Sequence, residues 1–182
     1  MNRTRAMMLL ALAFLIPQPA LAAGELSGGD LTFKGVVVAY PCSIAPESER
    51  VPVDFGEISI QSLFASGKTT PIPFSIKLVD CSPDVFDSVT VTFDGVQNAQ
   101  MADRLAIVAK MPGNASGIGI GLLEADDTPV KLGVATRPTT ISSTTMQLDF
   151  QAFVEAEPDA IANGTATTGA FTAATNYTLH YQ

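Results

Sequence analysis

Residues 169–182 read Gly-Ala-Phe-Thr-Ala-Ala-Thr-Asn-Tyr-Thr-Leu-His-Tyr-Gln. At period two, Gly169, Phe171, Ala173, Thr175, Tyr177, Leu179 and Tyr181 share one face, and Ala170, Thr172, Ala174, Asn176, Thr178 and His180 share the other. The alternation predicts one long terminal strand of roughly 40 Å at about 3.4 Å per residue, well beyond the usual length of about five or six residues. From Ala160 onward the chain has no Asp, Glu, Lys, Arg or Pro, the residues that normally blunt a sheet edge. Such a strand needs a neighbour on both sides, or it recruits one from another chain.

A candidate neighbour lies near the other end. In Glu25-Leu-Ser-Gly-Gly-Asp-Leu-Thr-Phe-Lys-Gly35, the alternate residues Ser27, Gly29, Leu31, Phe33 and Gly35 form a face that is apolar near its end and bare in its middle. That face suits a groove. The simpler reading of the pattern alone is a first strand, Leu31 to Ala39, behind a loose glycine leader.

Asn2 to Arg5 give a basic start, Ala6 to Ile16 an apolar run, Pro17 a break and Ala20-Leu21-Ala22 a small-x-small cleavage site. Together they predict a secretory signal over residues 1–22, with cleavage after Ala22 or after Ala23. The apolar run is shorter than the about 20 residues of a membrane span. The signal carries Arg3 and Arg5 but no acid, so removing it takes the net charge from −8 to −10. That surface repels nucleic acid, and no basic cluster offsets it. The remainder is one domain by length. Cys42 and Cys81, the chain's only cysteines, are most simply one disulfide in an exported protein.

Leu31 to Tyr40, Val51 to Gly56 as a proline-bearing edge, Pro73 to Cys81, Ser88 to Phe93, Leu105 to Met111, Ile118 to Leu123 and Met146 to Val154 read as further strands. Ser59 to Ala65 predicts one helical turn, with Leu63 and Phe64 inward and Gly67 ending it. Asp94-Gly95 and residues 124–129 read as turns, and Pro158 to Thr168 as a loop. No long helical period interrupts the strands, which predicts an all-β antiparallel sandwich.

No constellation for catalysis emerges. A hydrolytic site needs a nucleophile, a base and an orienting group, whereas the single histidine, His180, stands between Leu179 and Tyr181 on the terminal strand. With one histidine and two paired cysteines there is no zinc or iron ligand set, and no cofactor motif is present. Asp126 and Asp127 read as a solvated turn, because calcium takes about six or more oxygens and no spaced acidic loop surrounds them. Gly117-Ile-Gly-Ile-Gly121 lacks the Lys-Ser/Thr of a phosphate loop and reads as a strand with one bare face.

The Gly28-Gly29 leader, Phe33-Lys34-Gly35, Pro41-Cys42, Val53-Asp-Phe-Gly56, Lys77-Leu-Val-Asp80 before Cys81, Gly169 fourteenth from the end and the penultimate Tyr181 together resemble chaperone-usher fimbrial subunits of the type 1 pilin family. The resemblance covers essentially the whole chain after the signal. It implies an incomplete immunoglobulin-like β-sandwich that lacks its last strand, with a donor-strand extension over 23–34 and the pilin domain over 35–182. In that family a periplasmic chaperone lends a strand, an outer-membrane usher exports the subunit, and the extension of a neighbouring subunit then takes the chaperone's place. The resemblance gives Ser27, Gly29, Leu31 and Phe33 the role of inserting face, with Gly29 where the groove is tight. It gives Gly169, Phe171, Tyr177, Leu179 and Tyr181 the role of acceptor edge. Leu26 falls out of phase with Leu31 and Phe33, so either the register shifts at Gly28-Gly29 or Leu26 stays out. The expected function is structural, in a fimbrium on the bacterial surface that supports adhesion. The alternatives are a minor adaptor or terminating subunit, or a free exported binding module whose leader completes its own domain.

Overall fold

Alternating apolar residues on short segments leave each strand one face to bury, and here they bury against each other in two antiparallel layers. The structure, a computed structural model, describes residues 28–38, 41–108 and 113–182. The chain divides into Met1–Val37 and Val38–Gln182. In the first unit, residues 28–37 form no regular secondary structure, and Leu31, Phe33, Val36 and Val37 are exposed. The strand expected from Leu31 to Tyr40 is therefore absent over 31–38, and the signal segment, Leu26 and Ser27 lie outside the described residues.

The second unit runs β1 (Ser43–Ile44), a 3-10 turn (Pro46–Ser48), α1 (Ile60–Ser66), β2 (Ile72–Val79), β3 (Ser88–Gly95), β4 (Leu105–Ala106), β5 (Ile118–Glu124), β6 (Thr139–Thr140), β7 (Met146–Ala156), α2 (Pro158–Asn163) and β8 (Thr175–Tyr181). One sheet has the order β1-β2-β7-β5-β4 and the other β6-β3-β8. Both are antiparallel, as the alternation requires. Ile76, Leu78, Leu148, Phe150 and Val154 from the first sheet and Val89, Val91 and Phe93 from the second are buried between them. Phe93 meets Phe150 edge to face at 5.0 Å between centroids, which joins the layers at their centre.

The helical turn at 60–66 forms for the local reasons visible in the chain. Ser59 Oγ accepts from Ser62 N, Gly67 closes the helix at φ 76°, and Leu63 is buried. Gly119 and Gly121 leave the outer face of β5 bare, and their neighbours fill it. The Phe153 ring lies over Gly121, opposite it on β7. Lys68 and Arg104 flank that ring at 5.4 and 5.1 Å from its centroid, and Arg104 pairs with Glu155 at 2.5 Å.

Three further expectations change within these elements. Asp94-Gly95 is strand, not turn: β3 continues to Gly95 opposite Thr175, where a Cβ would collide with the Leu105 side chain. The glycine permits a close approach there. The stretch 158–168 contains α2, too short to display a helical period, although Pro158 at its start, Asp159 in its first turn and left-handed Gly164 at its end are ordinary boundary signals. Leu105 to Met111 contributes only Leu105–Ala106, with 109–112 outside the described residues.

Cys42 and Cys81 are bonded across 39 residues of sequence, and they flank the β1–β2 pair, in which Ser43 faces Val79. Replacing both with serine is expected to remove about 3 to 4 kcal/mol of stability on the chain-entropy account and to lower the yield of exported protein. Thermal melting checks this, and an unchanged midpoint would show the bridge to be dispensable.

Candidate functional site

β8 has a partner on one side only. It pairs with β3 from Val89 opposite Tyr181 to Gly95 opposite Thr175, and no other described strand adjoins it. Gln182 N donates to Ser88 O at 3.0 Å and Ser88 N donates back to Gln182 O at 3.1 Å. In an antiparallel ladder such doubly bonded pairs alternate. His180, Thr178 and Asn176 therefore bond β3, while the N–H and C=O groups of Thr175, Tyr177, Leu179 and Tyr181 face the open side. The same four residues turn their side chains inward, half-buried. Their side chains complete the core while their backbone lacks a neighbour.

The expected single strand over 169–182 is thus divided. Residues 169–174 leave β3, with Val108 N donating to Thr172 O at 2.7 Å and Ala115 N donating to Ala170 O at 3.2 Å. Gly169 makes this passage possible. At φ 151° it lies so close to Gly113 and Asn114 that a Cβ would overlap their backbone.

The facing wall is the segment 49–56. Val51, Val53 and Phe55 are half-buried while Pro52, Asp54 and Gly56 are exposed, so the segment is extended with an inward face. Among the described residues, no backbone hydrogen bond joins 51–55 to another segment. Here the expected edge strand has the right alternation but no ladder, because the place beside it is empty. Between this wall and 169–177 lies a groove of about 1020 Å3, floored by Phe74, Ile76, Phe93 and Leu122 and continuing toward α1 into a cavity of about 380 Å3. Tyr177 Oη donates to Ser48 O at 2.6 Å, and Ser48 Oγ accepts from Lys77 N at 2.9 Å. These bonds tie the two sheets together at one end of the groove. Burial pushes the Tyr177 phenol up, with Glu49 adding to the shift.

Of the residues expected at the acceptor edge, Gly169, Phe171 and Tyr177 line the groove, while Leu179 and Tyr181 continue the same inward face of β8 beyond it. Tyr181 packs edge-on against Phe86 at 5.9 Å. Within this wall, 51–56 was legible as a strand pattern, yet nothing in its alternation identified it as the other side of a groove.

The polar candidates are occupied elsewhere. Asp126 is held at about 2 by the Arg137 guanidinium, with Thr128 as a second donor, and Asp127 accepts from Gln151 at 2.9 Å. Among the described residues there is no cluster of three or more His, Cys, Asp or Glu placed to hold a metal. No helix among them is long and apolar enough to cross a membrane.

Residues 31–182 match the family model described as "Fimbrial protein". The chain is 37% identical over 182 residues to "Fimbria A protein" of Serratia marcescens, covering 100% of both. It is 36% identical over 168 residues to PmfF of Proteus mirabilis (strain HI4320), named for a minor fimbrial subunit, covering 92% of each. A solved subunit of a chaperone-usher pilus superposes with a TM-score of 0.65 at 30% identity, covering 92% of this chain and 98% of that one.

Tyr177→Phe removes one hydrogen bond and leaves Ser48 O buried, so about 1 to 3 kcal/mol of stability should be lost. Gly169→Ala should cost more, since its obstacle is backbone that has nowhere to retreat. Chemical denaturation of both variants checks the order, and Gly169→Ala melting like the parent would contradict the close approach described above.

Proposed function

The chain belongs to the fimbrial protein family, as a structural subunit of cell-surface chaperone-usher fimbriae, and we propose that it polymerises by filling the groove of one copy with the leader of another. The observation that carries this reading is the backbone of β8. A row of donors and acceptors at Thr175, Tyr177, Leu179 and Tyr181 lies open, and beside Thr175 and Tyr177 an unpaired extended wall stands across an apolar floor. One more strand would bond β8 along its length and cover Phe74, Ile76 and Phe93.

The leader has the chemistry to be that strand. Ser27, Gly29, Leu31 and Phe33 form its inserting face in this reading, and Gly169, Phe171, Tyr177, Leu179 and Tyr181 form the receiving edge. Backbone bonds contribute about 0.5 to 1.5 kcal/mol each, and burying Leu31 and Phe33 contributes about 1.5 to 3 kcal/mol each. Association costs about 4 to 15 kcal/mol, so the two apolar side chains decide the sign. Before assembly a periplasmic chaperone occupies the same edge, and the outer-membrane usher brings subunits together. The role is structural, not enzymatic. Head-to-tail contact of this kind does not close on itself and grows a filament.

The size distribution of the purified mature protein tests the reading. A ladder of multimers that survives mild detergent and collapses only on strong denaturation is expected, and Leu31→Ser with Phe33→Ser should abolish it while leaving the chaperone-bound subunit folded. A clean monomer, stable without chaperone, would instead identify a free binding module.

A further inference from the structure

α2 ends on an asparagine-glycine pair. After residue 22 the chain has asparagines at 98, 114, 163 and 176; Asn98 and Asn114 precede alanine, Asn176 precedes tyrosine, and Asn163 precedes Gly164. The backbone nitrogen that follows an asparagine can attack the side-chain carbonyl carbon, and glycine at that place offers no Cβ to obstruct the approach and the freest backbone rotation. Asn163 and Gly164 are both exposed, and a Cβ added at Gly164 would meet nothing within 4 Å. The other asparagines are held in place. Asn98 is buried, with Oδ1 accepting from Gln100 N and Met101 N and Nδ2 donating to Ile118 O and Glu157 Oε1. Asn114 is half-buried, and the nitrogen after it, Ala115 N, donates to Ala170 O at 3.2 Å. Asn176 lies in the β3–β8 ladder opposite Asp94.

We propose that Asn163 is a site of spontaneous deamidation, gated by opening of the last turn of α2. The Gly164 amide gives up its proton to base and its nitrogen bonds to Asn163 Cγ. The Cγ–Nδ2 bond breaks, and Nδ2 takes a proton from solvent and leaves as ammonia. Water then opens the cyclic imide at one carbonyl or the other, giving aspartate or its backbone-lengthened isomer, isoaspartate. One water is consumed and one ammonia released, with no oxidation or reduction.

In the closed helix both reacting groups are engaged. Asn163 Nδ2 donates to Asp159 O at 2.9 Å, and Gly164 N donates to Ile161 O at 3.3 Å, a long bond. Ring closure needs the Gly164 amide free and the backbone of Asn163 rotated out of its helical setting. The helix is only 6 residues long with Ala160 as its buried residue, too short to be stable by itself. Its last turn therefore opens locally while the sandwich stays folded.

The product undoes the helix end. A carboxylate at position 163 has no proton to offer Asp159 O, and it sets negative charge at the C-terminal end of a helix, where it is unfavourable. Isoaspartate also displaces Thr165, whose N donates to Ala160 O at 3.0 Å. Residues 166–168 line the smaller cavity at the end of the groove, and Thr167 bonds Ser116 there at 2.8 Å. Deamidation thus loosens one wall of that cavity as the subunit ages.

Peptide mass mapping of the folded, chaperone-bound subunit, held at mildly alkaline pH, tests the site and its gate. Position 163 should acquire the mass of an amide-to-acid change while 98, 114 and 176 stay unaltered, and Asn163→Gln, whose longer side chain closes a ring poorly, should lose the change altogether. Ala162→Gly, an exposed substitution that weakens α2, should speed conversion about three- to fivefold. In the Asn163→Asp subunit the Thr165 amide should exchange about two- to fivefold faster than in the parent. An Asn163 that stays intact, or that converts no faster than the other three asparagines, would overturn the site. Equal conversion rates in the parent and Ala162→Gly would overturn the gate, and unchanged exchange at Thr165 would overturn the loosening.

Discussion

An antiparallel strand carries two rows of backbone donors and acceptors, and β8 satisfies one of them on β3 while the other faces the groove. Most other features of the site follow from that imbalance. The side chains of Thr175, Tyr177, Leu179 and Tyr181 must still reach the core, so β8 cannot swing away to solvate its free row. Segment 49–56 faces the same vacancy and stays extended without a ladder. The groove between them is floored by Phe74, Ile76, Phe93 and Leu122, the part of the core that an added strand would cover.

The rest of the sandwich holds the vacancy open. Phe93 and Phe150 fix the layers face to face, and the disulfide fixes β1 to the end of β2. Tyr177 and Lys77 converge on Ser48 and tie β8 to the opposite sheet at one end of the groove. Near the other end, Gly169 lets the chain pass against residues 113 and 114 without displacing them. A core assembled this way has little freedom to collapse inward, which supports the proposal that a strand from another copy covers the groove.

Much of this was legible in the residues because it is local. Period two in 73–81, 88–93, 146–154 and the last residues of 169–182 set which side chains face inward, and Ser59 with Gly67 marked α1. The absence of charge and proline after Ala160 marked the edge that needs a partner. What stayed hidden depends on distant neighbours. Gly95 looks like a turn residue until the Leu105 side chain is placed against it, and the bare face of β5 acquires its cover only when Phe153 lies across from Gly121. Residues 169–182 alternate without interruption, yet the pairing ends at Thr175 because hydrogen bonds to Val108 and Ala115 draw the earlier part away. The Phe55–Phe171 ring contact joins residues more than half the chain apart, and no spacing in the sequence announces it.

Amide hydrogen exchange on the assembled fibre and on the chaperone-released subunit measures the vacancy itself. The account predicts that the amides of Tyr177 and Leu179 exchange freely in the isolated subunit and become strongly protected in the fibre, while those of Thr178 and His180, bonded to β3, are protected in both. Equal protection of Tyr177 and Leu179 in the two states, or their free exchange in the fibre, would contradict it.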